Sequence, residues 1–222
     1  MNAQSNPPSE MLPAELERRL VESLSRVGWV LPDGAEYRIA RFLAELVRWN
    51  RAYNLTSITG PDEMIERHVI DSLSILDRLR GRRILDAGTG AGIPGLILAI
   101  AEPDRHFVLA DSNLKKIRFL KHVGRNLDLT NVEPVHARLE SLSLDPPPDE
   151  IVARALAPLP RLVDWLGPWI DSGARLLAMK GRLAESERLQ VPDAYNVAIH
   201  PLDWPGREGA RCLVVVSSGG PD

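Results

Sequence analysis

ILDAGTGAGIPG, residues Ile84 to Gly95, is the most informative segment of this 222-residue chain. Its apolar start reads as a strand, and Pro94 reads as the opening of a helix. Between them, Gly88, Gly90 and Gly92 let the backbone turn sharply and approach a ligand with no Cβ in the way. A turn of this kind sits at the carboxyl end of a strand, beside a helix N-terminus, where α/β sheets hold their ligands.

The surrounding pattern agrees. From Arg82 onward, short apolar strands (RRILDA, HFVLAD, VEPVHA, EIVARA, ARLLAMKG) alternate with helices that begin near Pro94, Leu114 and Pro158. That alternation predicts a parallel sheet covered on both faces. AYNVAIHPLDW and ARCLVVVSS, joined by PGREG, predict an antiparallel hairpin at the sheet edge. Upstream, the apolar spacing is helical. Leu16, Leu20, Leu24 and Val27 form one stripe closed by Gly28, and Ile39, Phe42, Leu43, Leu46 and Val47 form a second. A third helix starts near Pro61 with Thr59 as its expected cap, and Ile65, Val69, Leu73 and Leu76 share its apolar face. The expected fold class is α/β: a doubly wound, mostly parallel seven-stranded sheet with a helical N-terminal extension. The expected divisions are a disordered tail over 1–13, helices over 14–80, the α/β domain over 81–218 and a tail over 219–222.

Two ligands compete for the glycine turn. Gly90-x-Gly92-x-x-Gly95, followed by Asp111 21 residues after Gly90, matches a dinucleotide fingerprint. Asp86, however, stands two residues before the first glycine. A pyrophosphate about 5 Å from it would suffer roughly 3 kcal/mol of repulsion at an effective dielectric of about 20. A cationic ligand portion gains from the same carboxylate, which favours S-adenosylmethionine with its ammonium and sulfonium. Asp111, at the end of the second strand, can accept from both ribose hydroxyls or cap the helix from Leu114. Leu139 and Glu140, after the third strand, fall where an adenine would lie. Arg154 sits inside an apolar strand, so it is either ion-paired or aimed at the cleft.

Composition narrows the classes. Lys+Arg 27 against Asp+Glu 30 gives a net charge of −3, which excludes a generally basic nucleic-acid coat but not a local patch. The one cysteine, Cys212, excludes a disulfide framework and reads as a core residue in a reducing compartment. No segment approaches the roughly 18 apolar residues of a membrane helix, and the N-terminus lacks a signal-peptide pattern, so a cytoplasmic location is expected. The five histidines lack metal-ligand spacing, so no metal is expected.

Local charge gives two clusters that read either as solvated faces or as contacts for a polyanion. Lys115, Lys116, Arg118, Lys121 and Arg125 occur in a stretch with no acid, and Arg80, Arg82 and Arg83 form a second cluster. Arg67, His68, Asp71 and Ser72 fall opposite the third helix's apolar stripe, as a solvated face or a substrate lid. Lys180 follows the fifth strand as a phosphate contact or a surface lysine. Asn50 and Asn54 either cap the second helix or meet substrate. The DPPPD loop, Asp145–Asp149, precedes its strand and lacks the aromatic of an amine-methylating loop, so it carries no assignment.

RWNRAYNLTSI (Arg48–Ile58), RHVIDSL (Arg67–Leu73), DAGTGAGIPG (Asp86–Gly95), VLADSNLKKIRFL (Val108–Leu120), ARALAPL (Ala153–Leu159) and MKG (Met179–Gly181) together resemble the RsmG (GidB) family of 16S ribosomal RNA guanine-N7 methyltransferases. The resemblance implies a class I methyltransferase fold and S-adenosylmethionine as methyl donor. It implies as acceptor N7 of a guanine in the 530 loop of 16S rRNA, the guanine-527 site. It also implies cofactor contacts at Gly88, Ile93, Leu139, Glu140 and Arg154, with 16S rRNA or the small ribosomal subunit as partner; a monomer is expected. Guanine N7 carries no proton, so the reaction needs alignment and no general base, in keeping with the absence of a catalytic dyad. A small-molecule methyltransferase, an NAD-binding oxidoreductase and a non-catalytic ribosome-assembly factor remain the alternatives.

Overall fold

The computed structural model describes residues 12–219. Most of the expected N-terminal tail lies outside them. Helix α1 (Pro13–Val27) begins one residue earlier than expected because proline, lacking an N–H, is well suited to the first turn. Gly28 closes it in the left-handed region, and Leu16, Leu20 and Leu24 are buried as the spacing requires. Helix α2 (Ala35–Tyr53) ends at Asn54, also left-handed, whose N–H bonds to the Asn50 carbonyl. The Asn50 amide brackets Thr56, giving and accepting one bond of 2.9 Å each. Both asparagines therefore shape the loop after α2.

The third helical segment, 61–73, runs as α3 (Pro61–Met64), a π-helical stretch (Ile65–Ile70) and α4 (Asp71–Leu73). Gly60, with no side-chain bond, occupies the cap position expected for Thr59. The polar face, read as a solvated face or a substrate lid, is not solvated. His68, Asp71 and Ser72 are buried and only Arg67 is exposed. The π-helical stretch packs against α1.

Strands β1 (Arg83–Ala87), β2 (His106–Asp111), β3 (Val132–His136), β4 (Glu150–Arg154), β5 (Arg175–Lys180), β6 (Tyr195–Pro201) and β7 (Cys212–Ser218) form one sheet in the order β3-β2-β1-β4-β5-β7-β6. All pairings are parallel except those of β7, which runs against β5 and β6. Helices α5 (Gly95–Ala101) and α6 (Leu114–Asn126) join α1, α2 and the third segment on one face, over Ile84, Phe107, Leu109 and Val152. The N-terminal helices thus share one core with the sheet. The alternate residues Leu85, Val108, Ala110 and Ile151 pack beneath α7 (Leu159–Asp171), with Cys212 in the same cluster. A short α8 (Glu185–Arg188) follows β5.

The amino ends of the strands are tied by two acids. Asp149 accepts from the N–H groups of Arg82 and Arg83, and buried Glu150 accepts from those of Arg80 and Gly81 and pairs with Arg175. The Arg80–Arg83 cluster, read as a solvated face or a polyanion contact, is therefore at the end of the sheet opposite the glycine turn. Its position follows from its place just before β1 in a parallel sheet.

Candidate active site

Strand order reverses between β1 and β4, which leaves a crevice at their carboxyl ends. Gly88, Gly90 and Gly92 have φ of 68°, 61° and 91°, so the turn after β1 needs residues that tolerate the left-handed region. A Cβ on Gly88 would collide with Leu156, and one on Gly95 with Asp86 Oδ2.

Asp86 does not face the crevice as the charge argument required. Its side chain is turned under the loop and 1% exposed. Oδ2 accepts from Thr89 Oγ1 at 2.6 Å and from Gly95 N–H at 2.8 Å. Oδ1 is buried with no protein partner. Burial raises its pKa to about 6 against the pull of the two bonds. Its role here is to fasten the turn to the first residue of α5.

Asp111 does open toward the crevice. Oδ2 accepts from Gly90 N–H at 3.0 Å and Oδ1 from Asn113 N–H at 2.8 Å, with Lys116 Nζ 3.4 Å away. Asn113 caps α6, so Asp111 is not needed for that task. A cavity of about 400 Å³ is lined by Gly88, Asp111, Lys116, Leu139, Glu140 and Trp165, among others. This glycine lobe brings together residues expected from three strand ends. Ile93, implied by the resemblance, is not part of its lining and packs against the core under the turn.

A second cavity of about 340 Å³, the arginine lobe, is lined by Arg67, Asp71, Arg154, Met179, Lys180 and Arg211, among others. The two lobes share Ala155 and Leu156, and Ala155 has a positive φ of 50°. A left-handed alanine is strained, and such strain clusters at working sites.

Asp71 is the hub of the arginine lobe. Its Oδ2 receives Arg154 NH1 at 2.9 Å and its Oδ1 receives Arg211 Nε at 2.9 Å. Arg154 also donates to the Arg67 carbonyl at 2.8 Å. Burial lowers the Arg154 pKa while Asp71 raises it. His68 Nε2 lies 3.1 Å from Thr56 Oγ1 and its Nδ1 3.5 Å from Arg154. Burial, then the Arg154 charge, pushes His68 down to about 4, so it is neutral at pH 7. Lys180, read from the sequence as a phosphate contact or a surface lysine, is not a surface residue: it is largely buried, paired with Glu187 and 3.3 Å from the Ala157 carbonyl. Arg211 and Thr56 were missed in the sequence. Their only signal is a lone arginine before an apolar strand and a threonine after a helix end. Among the described residues, no group of three or more His, Cys, Asp or Glu could hold a metal ion, and no helix is long and apolar enough to cross a membrane.

A family model described as GidB, rRNA small subunit methyltransferase G, matches residues 36–208. The chain belongs to the GidB family. A ribosomal RNA small subunit methyltransferase G of Enterobacter sp. (strain 638) is 40% identical over 199 residues, covering 89% of this chain and 96% of its own. That of Serratia proteamaculans is 38% identical over 205 residues, 91% of this chain and 100% of its own. Among solved structures, TrmN from Thermus thermophilus aligns with a TM-score of 0.52 at 18% identity, over 77% of this chain and 52% of its own. A ribosomal protein L11 methylase from Lactobacillus delbrueckii subsp. bulgaricus aligns with a TM-score of 0.52 at 14% identity, over 69% and 79%. These structures share the fold with this GidB-family chain: the Rossmann-like, mostly parallel sheet expected from the sequence.

Proposed function

We propose that this protein transfers a methyl group from S-adenosylmethionine to N7 of a guanine in small-subunit ribosomal RNA. The observation that carries the reading is Asp111, a strand-end carboxylate that opens into the glycine lobe of a GidB-family chain. The lobe's chemistry fits the donor. Asp111 suits a ribose diol, and Glu140 suits an exocyclic amine. Leu139, Leu156 and Trp165 offer apolar surface to a purine, and the cavity is within the usual range for such ligands. Arg154 and Arg67 line the adjoining lobe, where they suit a carboxylate or phosphate. Ile93 would act by supporting the turn from below.

When bound, the donor supplies an electrophilic methyl on a sulfonium sulfur; the N7 lone pair takes it, and the carbon–sulfur electrons stay on sulfur. No proton leaves N7, so the protein's task is to hold both reactants at about 3–3.5 Å and exclude water. Neutral His68 and paired Lys180 act as braces of the arginine lobe and take no part in proton transfer. In A-form RNA the deep, narrow major groove hides N7, so the target base lies in a loop or is extruded. Cytoplasmic location follows from that substrate, and a monomer suffices because one chain contributes both lobes.

The test is incubation of the full chain with methyl-labelled donor and unmodified small subunits, followed by reduction and aniline cleavage at N7-methylguanine. Label in the RNA and one new cleavage at a guanine support the reading. Label on protein only, or on RNA without cleavage, overturns it.

A further inference from the structure

Two acid-free, cation-bearing stretches of this chain pack against each other. Between Glu45 and Asp62, and again between Asp111 and Asp128, there is no acidic residue. The two stretches carry Arg48, Arg51, Lys115, Lys116, Arg118, Lys121 and Arg125, seven cations in a protein of net charge −3. They form the end of α2 and the whole of α6, which run side by side: Trp49 stacks 5.5 Å from Phe119 and 5.1 Å from His122. The charge is therefore concentrated on one face by tertiary packing. Glu45, at the far end beside Arg48 and His122, is the acid that borders it.

An aromatic ring lies in the same face. Tyr53 rests on Trp49, ring centroids 5.3 Å apart, yet is 43% exposed. The Lys115 ammonium stands 5.9 Å from its centroid. Lys115, Arg118 and Arg125 are exposed at positions that share one side of α6. The next residue, Lys116, reaches Asp111, so this face begins at the rim of the glycine lobe. An exposed aromatic among cations is the pattern that binds unpaired RNA: rings stack on bases while cations take phosphates.

We propose that the face shared by α2 and α6 is the docking platform for RNA around the target base. Tyr53 stacks on an unpaired base, and Lys115 and Arg118 take neighbouring phosphates. This inference rests on the RNA-methyltransferase reading and extends it to the N-terminal helices.

Binding of the full chain to purified small ribosomal subunits, titrated by co-sedimentation at several KCl concentrations, tests it. Lys115→Glu with Arg118→Glu should weaken binding at least tenfold and reduce the salt slope by about 1.4, or about 0.7 for each phosphate released. Tyr53→Ala should weaken it about fivefold or more, and Tyr53→Phe should restore it, because stacking needs the ring and not the hydroxyl. Thermal melting and donor affinity should match wild type in all three. Unchanged subunit affinity in the charge-reversal variant, or equal losses in Tyr53→Ala and Tyr53→Phe, overturns the platform. If wild type transfers no label to subunits, the functional reading fails. If it does and the variants bind as wild type, only the platform fails.

Discussion

Asp111 in the glycine lobe meets the backbone N–H groups of Gly90 and Asn113, 21 and 2 residues away, and the ammonium of Lys116, 5 residues on. Asp71 in the arginine lobe meets Arg154 and Arg211, 83 and 140 residues away, through side chains alone. The first arrangement follows from the path of the chain at two adjacent strand ends. The second exists only while three distant segments are held together. A side-chain change should therefore cost ligand affinity in the glycine lobe and stability in the arginine lobe.

The largest expected effect is Asp71→Asn. Asp71 is 4% exposed, and its loss leaves two arginines without their counter-charge. Breaking such a pair should cost about 3–5 kcal/mol in urea unfolding. An unchanged midpoint and slope would show that the arginine lobe is not structural.

The second effect separates the lobes by pH. Asp86 titrates at about 6 in the fold against an ordinary 3.8, so its contribution is present below pH 3.8 and is lost as pH rises through about 6. His68 titrates at about 4 against an ordinary 6.5, so stability is lost as pH falls from 6.5 toward about 4. Between about pH 4.5 and 6 the slopes oppose, each about 1.4 kcal/mol per pH unit at most. Wild-type stability should be nearly flat with respect to these two groups. Asp86→Asn should leave stability rising with pH, and His68→Gln should leave it falling. Parallel curves for the two variants would remove the distinction.

The smallest effect is Asp111→Ala. It should weaken S-adenosylmethionine binding, measured by calorimetry, by about 1.5–3 kcal/mol for each charged hydrogen bond removed, with a smaller loss of unfolding stability than Asp71→Asn. Loss of fold with no separate loss of affinity would make the two lobes alike.

The glycine lobe was largely legible because its parts recur at strand ends, and strand ends can be read from apolar runs. Gly88, Asp111, Leu139 and Glu140 line one cavity as their positions required. Asp86 was placed correctly along the chain but not in space: Gly95 leaves room beneath the turn, and the carboxylate fills it. The RHVIDSL segment was legible as a helix, but not as a buried one. A polar face on a helix reads as solvated unless other segments are known to cover it.

The order of apolar strands, helices and glycines determined the α/β architecture, because period and turn chemistry are local properties of the backbone. Which charges are spent on one another was decided by the tertiary structure alone. Asp71 with Arg154 and Arg211, and the α2–α6 cationic face, depend on distances between segments remote in the chain. Electrostatic energy varies with separation in space, and sequence spacing does not report that separation.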